Sequence, residues 1–310
     1  MEPRGRNKII VILGPTSSGK SEVAIRLARK YDGEIISADS RQIYRGMDVG
    51  TGKISKAQQK LAKHWLIDII DPKTEYNVFK FKKEANCVIN YLHKKNKIPI
   101  ICGGTGFWIK AIVDDVDFPE VKPNLELRKR LEKENTEKLF KMLQKLDPER
   151  VNNIDAKNKV RLIRAIEICK AIGKVPPLPP TPSPSGRGWG EGNIKYDFIQ
   201  IGIDIPKEKL HQNIKKRLEK RFKQGMIEEV KKLRKSGLSW KKIQSFGLGY
   251  FWIPLFLQGK IDKKELFEKV YQAEKDYAKR QMTWFKKDKR IKWLEKYKEI
   301  ENIAKKFLLN

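Results

Sequence analysis

The chain has 310 residues, room for one large or two modest domains, and its 68 Lys and Arg outnumber 38 Asp and Glu to give a net charge of +30. That balance is far more basic than an ordinary small-molecule enzyme needs and favours a polyanionic partner, nucleic acid first; a surface merely decorated with lysine has the same charge. Cys87, Cys102 and Cys169 form no C-x-x-C pair and read as reduced core residues of a cytoplasmic protein, and His64, His93 and His211 are too scattered for a metal site. No apolar run approaches the ~20 residues of a membrane span, and MEPRGRNK has no apolar leader.

In chain order, the apolar run Ile9–Leu13 meets Gly14-Pro-Thr-Ser-Ser-Gly19-Lys20-Ser21, the spelling G-x-x-x-x-G-K-[ST] of a phosphate loop between a strand and a helix. Gly14 and Gly19 let the backbone curl so that the N–H groups of Thr16, Ser17, Ser18 and Gly19, with the helix N-terminus, face an anion. Lys20 adds a full charge, and the Ser21 hydroxyl is a candidate Mg²⁺ ligand. The remaining alternative is a glycine turn that binds nothing.

A helix is predicted over Ser21–Lys30, then a buried strand over Glu34–Asp39 that delivers Asp39, Ser40, Arg41 and Gln42 beyond its carboxyl end, where ligands sit in open parallel sheets. Trp65–Ile70 reads as a strand, Val78–Lys95 as an amphipathic helix, and Ile98–Cys102 as a strand running into Gly103-Gly104-Thr105-Gly106. Thr105 is therefore expected in the same crevice as Lys20 and Asp39. Alternating strands and helices imply a parallel α/β core.

From about Pro119 the chain turns helical and charged, over Asn124–Leu146 and Lys157–Ile172. Pro176–Gly192 has six prolines and four glycines in seventeen residues and reads as a disordered excursion. A strand over Phe198–Ile205 returns to the sheet, followed by a basic helix over Lys207–Lys235, a short aromatic helix within Gly247–Gly259, and a long helix over Asp262–Asp288. On that last helix basic and aromatic residues interleave, a pattern that suits either phosphate contact with base stacking or a core face beside a solvated one.

Ile35–Lys53 (IISADSRQIYRGMDVGTGK), His64–Pro72 (HWLIDIIDP), Pro99–Lys110 (PIICGGTGFWIK) and Asp276–Phe285 (DYAKRQMTWF), with the phosphate loop, make the chain resemble the tRNA dimethylallyltransferases, or isopentenyl-diphosphate:tRNA isopentenyltransferases. The resemblance runs over nearly the whole chain except Pro176–Gly192. It implies a P-loop kinase-like parallel sheet core formed by residues 1–118 and 198–310 with a helical C-terminal region and an inserted α-helical tRNA-binding domain at 119–175; residues 176–197 are left, on composition, as a Pro/Gly-rich disordered insert and linker.

The activity it implies is transfer of a dimethylallyl group from dimethylallyl diphosphate to N6 of the adenosine 3′ of the anticodon, in tRNAs reading codons that begin with U. By resemblance Thr105 donates to the leaving diphosphate and Arg217 helps hold it, with Mg²⁺ as cofactor. An exocyclic adenine amine is a weak nucleophile, so Asp39 is the candidate general base; helix cap or Mg²⁺ ligand are its alternatives. Ser40, Arg41 and Gln42 match the stretch that grips the adenine, and Arg128, Arg161, Arg164, Lys279, Arg280 and Gln281 match other tRNA contacts. A cytoplasmic monomer acting on the anticodon stem-loop, with no membrane partner, completes the expectation. The rivals are a P-loop small-molecule kinase, which would need a further acidic Mg²⁺ ligand, and a non-catalytic RNA-binding module, against which Lys20 and Ser21 speak. Phe251-Trp252 where the family usually has Lys-Glu, Asn213 where arginine is frequent, and the proline-rich insert are departures from the family pattern.

Overall fold

The computed structural model describes residues 7–176 and 196–310. Its elements in order are β1 (Lys8–Leu13), α1 (Lys20–Lys30), β2 (Gly33–Ser37), α2 (Lys56–Leu61), β3 (His64–Trp65), α3 (Val78–Lys94), β4 (Ile98–Gly103), α4 (Gly106–Val113), α5 (Leu125–Leu131), α6 (Thr136–Leu146), α7 (Pro148–Val151), α8 (Lys159–Ile172), β5 (Asp197–Ile203), α9 (Lys207–Lys223), α10 (Met226–Lys235), α11 (Trp240–Gln244), α12 (Gly249–Leu257), α13 (Lys263–Phe285), β6 (Lys292–Leu294) and α14 (Tyr297–Leu309). The described residues within Met1–Asp115 and Thr181–Asn310 form one compact unit, and those within Val116–Pro180 a second.

The larger unit is built on a six-stranded sheet in the order β3-β2-β4-β1-β5-β6, every neighbouring pair parallel. β1 lies inside, with Ile10 opposite Ile100 of β4 on one side and Ile199 of β5 on the other. Because side chains alternate along a strand, its unbroken apolar run serves two cores. Ile9, Val11 and Leu13 pack with Phe81, Ala85, Ile89 and Leu92 of α3, while Ile10 and Ile12 pack with Ala24, Leu27 and Ala28 of α1 and with Ile300, Ala304 and Leu308 of α14. Truncating any of these isoleucines to Ala would cost about 2–5 kcal/mol.

In the smaller unit Leu131, Leu139, Leu143, Leu162, Ile163 and Ile166 form a separate core. Three of its helices, α5, α6 and α8, start on asparagine caps: Asn124, Asn135 and Asn158 accept from the third following amide at 2.9, 2.8 and 3.1 Å. The Asn135 cap divides the helical stretch expected over Asn124–Leu146 into α5 and α6.

Two expected elements are shorter than their apolar patterns. The strand expected over Trp65–Ile70 stops after Trp65, because Leu66 and Asp68 take φ of 58° and 57°. The chain then folds onto the preceding loop, where Asp68 and Ile69 donate to the carbonyls of Gln42 and Ile43 at 3.1 and 2.8 Å. The helix expected over Lys207–Lys235 is two, separated at Gly225 with φ 90°, a left-handed conformation that glycine adopts without steric cost. α2, α4, α7, α11 and β6 lie outside the expected elements, α14 belongs to the expected helical C-terminal region, and the expected proline-rich insert Pro176–Gly192 lies, but for Pro176, outside the described residues.

Candidate active site

β1 ends at Leu13, and the loop to α1 turns through Gly14 (φ 150°), Ser17 (φ 63°) and Gly19 (φ 90°). Gly19 occupies the N-cap of α1 without a side-chain cap, so the first-turn amides have no capping oxygen from that residue. The hydroxyls of Ser17 and Ser18 are buried without a hydrogen-bond partner. Both features suit an anion or its metal counter-ion, since buried polar groups otherwise find partners. Lys20 Nζ donates to Pro15 O at 3.0 Å and closes the loop on itself.

A cavity of about 870 Å³ opens over this loop. Its wall includes Thr16, Ser17, Gly19, Lys20 and Ser21, the Asp39–Gln42 segment, Gly50–Lys53, Arg217 and Arg221 of α9, and Tyr277, Arg280 and Gln281 of α13. Pockets for whole cofactors run to roughly 300–1,000 Å³, so there is room for more than a diphosphate. Burial pushes the Lys20 ammonium below its ordinary range; nearby Cys102 and Asp39 oppose the shift and Arg217 adds to it. Burial likewise lowers Arg217, with Arg221 as the next cause. Two half-buried cations on one wall, both destabilised by desolvation, favour negative charge between them.

Arg217 is aimed by its partners: Nη1 donates to Thr16 Oγ1 at 3.2 Å and Nη2 to Gly52 O at 2.6 Å. Asn213, one turn earlier on α9, donates to Ser17 O at 3.3 Å, so the departure from arginine places a neutral amide on the loop. The Gly50–Lys53 segment is clamped from both polar sides. Glu229 accepts from the amides of Asp48, Val49 and Gly50 at 2.7, 2.7 and 2.8 Å and from Tyr250 OH at 2.7 Å. Arg221 donates to Val49 O at 2.8 Å and also pairs with Gly50 O and with the buried Glu274.

Asp39 sits past the end of β2. Its Oδ1 accepts the Arg41 amide at 2.9 Å, an Asx turn that fixes the carboxylate on the cavity wall, and Gln42 Nε2 reaches Oδ2 at 3.5 Å. Tyr277 is beside it: burial first, then the Asp39 charge, pushes the phenol above its ordinary value, while Thr105 is a hydrogen-bond partner. Lys53 and Glu274 belong to the wall and were not singled out from sequence; Tyr277, one of the aromatics interleaved with basic residues on the helix expected over Asp262–Asp288, belongs to it too.

Thr105 is half-buried and joins two residues of the wall: its Oγ1 accepts the Ser40 amide at 3.1 Å, and it is a hydrogen-bond partner of Tyr277. Gln281, expected on the tRNA side, is only 6% exposed and faces inward. Arg128 and Arg164 lie in the smaller unit and converge on Glu167. Arg128 Nε and Nη2 reach its two oxygens at 2.9 and 2.8 Å, and Arg164 pairs with Oε2 and donates to Val121 O at 2.9 Å. Burial raises the Glu167 carboxyl, but the two arginines outweigh it and hold the group below its ordinary value. Arg161 is exposed on α8. Lys279 borders a smaller hollow with Trp284 and Lys287.

The family model described as IPP transferase matches residues 42–288. The chain belongs to the IPP transferase family. A tRNA dimethylallyltransferase of Carboxydothermus hydrogenoformans is 37% identical over 97% of this chain and 96% of its own, and one of Caldicellulosiruptor saccharolyticus is 40% identical over 90% and 89%. Among solved structures, the full-length tRNA isopentenylpyrophosphate transferase of Bacillus halodurans superposes with a TM-score of 0.72 at 30% identity, covering 98% of this chain and 97% of that one. A eukaryotic dimethylallyltransferase acting on tRNA gives 0.76 at 25% identity, over 93% and 74%. The IPP transferase core is therefore the parallel sheet expected from sequence. No described helix is long and apolar enough to cross a membrane.

Proposed function

We propose that this prenyltransferase moves a dimethylallyl group from dimethylallyl diphosphate to N6 of the adenosine 3′ of the anticodon in tRNAs reading codons that begin with U. The observation that carries the reading is that the phosphate loop, the Lys20 and Arg217 cations and a carboxylate fixed by its own turn share one cavity in a chain of this family. In the reaction the bond from carbon 1 to the diphosphate oxygen breaks and its electron pair leaves with the diphosphate. The N6 lone pair forms the new bond to carbon 1, and the N6 proton passes to Asp39. Charge gathers on the departing oxygens, so Lys20, Arg217 and the loop amides act by electrostatic stabilisation. The adenine must leave its stack to reach Asp39, and Ser40, Arg41, Gln42 and Arg280 border the space it would enter.

Among the described residues no group of three or more His, Cys, Asp or Glu could hold a metal. That suits Mg²⁺, which is commonly bound by one or two protein oxygens, waters and the phosphates of a substrate. Ser21, with Asp39 or the orphaned Ser17 hydroxyl, would hold it, and the ion would supply neutralising charge to the diphosphate. The smaller unit, with Arg161 exposed on α8, is read as the tRNA-binding insertion, and the molecule as a cytoplasmic monomer acting on the anticodon stem-loop.

The test is incubation of the protein with unmodified tRNA and dimethylallyl diphosphate labelled in the allyl group, without ATP. Label should appear in tRNA; phosphate label passing from ATP to a small acceptor instead would favour a kinase. Asp39→Asn keeps the Asx turn and removes the base, so turnover should fall by about 10²–10⁴. Unchanged Mg²⁺ dependence in that variant would assign Asp39 to the proton, a shifted dependence to the metal.

A further inference from the structure

α13 touches every part of the site. Glu274 pairs with Arg221, Tyr277 neighbours Asp39 and Thr105, and Gln281 lies one turn further on. The Gln281 carboxamide is satisfied at both ends: Oε1 accepts the amide of Thr16, in the phosphate loop, at 2.8 Å, and Nε2 donates to the carbonyl of Gly104, in the second glycine turn, at 2.8 Å. The fit is close. A Cβ on Gly104 would collide with Gln281 Nε2, and one on Gly106 with the ring of Trp284. The glycines of the second turn thus let α13 approach, and Gln281 bridges two loops that are 88 residues apart in sequence (104 − 16).

We propose that Gln281 is a positioning residue for the transfer: its carboxamide ties the Thr16 amide to the Gly104 carbonyl and holds the phosphate loop in its ligand-ready shape. The inference rests on the reading of that loop as the diphosphate site. Thr16 N–H is already taken, so the amides left for the anion are those of the later loop and the first turn of α1. Without the bridge the loop would have an unsatisfied amide in its own wall and no tie to the second glycine turn, and the diphosphate would have to order it on binding.

The experiment titrates the full chain with inorganic diphosphate by calorimetry and measures tRNA binding separately, in wild type, Gln281→Met and Gln281→Glu. Met matches the length without hydrogen bonding; Glu keeps the acceptor for Thr16 but sets a carboxylate oxygen against the Gly104 carbonyl. Diphosphate affinity should fall about tenfold in the Met variant and further in the Glu variant, with tRNA affinity within about twofold of wild type. Gln281→Asn, hydrogen-bonding but one methylene short, should fall between wild type and Met, an order that general loss of packing would not produce. Unchanged diphosphate affinity in the variants overturns the proposal, as does a fall in tRNA affinity alone, which would return Gln281 to the tRNA interface. If wild type binds diphosphate yet transfers no allyl label to tRNA, the functional reading fails and the titration still decides the bridge. A wild-type protein that binds no diphosphate overturns both.

Discussion

Removing the Glu229 carboxylate should loosen the Gly50–Lys53 wall of the cavity, and the geometry sets the size of the effect. Oε2 serves the amides of Asp48 and Val49, and Oε1 serves the amide of Gly50 and the hydroxyl of Tyr250. Burial, with the Glu229 charge beside it, keeps the Tyr250 phenol protonated well above its ordinary range, so it donates. In Glu229→Gln the side-chain oxygen keeps Asp48 and Val49, the new NH₂ turns to Tyr250, whose hydroxyl can rotate to accept, and one conflict remains, against the Gly50 amide. One unsatisfied buried donor costs about 2 kcal/mol. Glu229→Ala strands all four donors; water and loop relaxation recover part, leaving about 4 kcal/mol, as when one member of a buried charged network is removed.

For 310 residues, at about 2.1 cal/mol/K each, unfolding carries about 0.65 kcal/mol/K, so Tm should fall about 3 °C for Gln and about 6 °C for Ala. Differential scanning calorimetry reads this directly. The donor KM should rise in the same order, because Gly52 O holds Arg217 in place. Two variants melting within about 1 °C of wild type, or Gln less stable than Ala, would refute the reasoning.

Lys20→Met should abolish transfer while leaving tRNA affinity nearly intact; undiminished turnover would remove Lys20 from the diphosphate site. The folded pKa of Lys20 lies below its ordinary 10.5, so its ammonium destabilises the empty protein, an effect that fades as pH rises through the folded value toward 10.5. A bound diphosphate raises that pKa again, so binding in this alkaline window should take up a proton that Lys20→Met does not, seen as a difference in buffer-dependent binding enthalpy. Burial raises the Cys102 thiol to about 11, so at pH 8 iodoacetamide should alkylate exposed Cys87 and spare Cys102; equal labelling rates by mass spectrometry would contradict the burial. In the smaller unit Arg161→Ala should flatten the salt dependence of tRNA binding, whereas Arg128→Ala should chiefly lower Tm by leaving Glu167 short of a partner; the reverse pattern would exchange their roles.

The local signals in this chain were enough to identify what they encode locally. Ile9–Leu13 against Gly14–Ser21 specified a buried parallel strand, a phosphate loop and a helix start, because hydrophobic period, glycine conformation and loop charge all act within a few residues. Gly225 carried an equally local signal, a left-handed residue that ends α9, although it stands in a charge pattern that continues across the break. What the sequence could not determine is which way a polar side chain turns once distant segments pack. Gln281 sits in a run expected to contact tRNA, yet the approach of α13 to Gly104 and Gly106 turns it inward onto the phosphate loop. Arg128 and Arg164 carry the charge expected of a tRNA contact, but Glu167 draws both into the smaller unit because a buried carboxylate must be paired. Thr105 came to the expected end of the sheet, but that its hydroxyl would accept the Ser40 amide was not legible in the sequence. Backbone form follows from near neighbours; hydrogen-bond partners are assigned by chain segments far apart in sequence, and only the packed core brings those together.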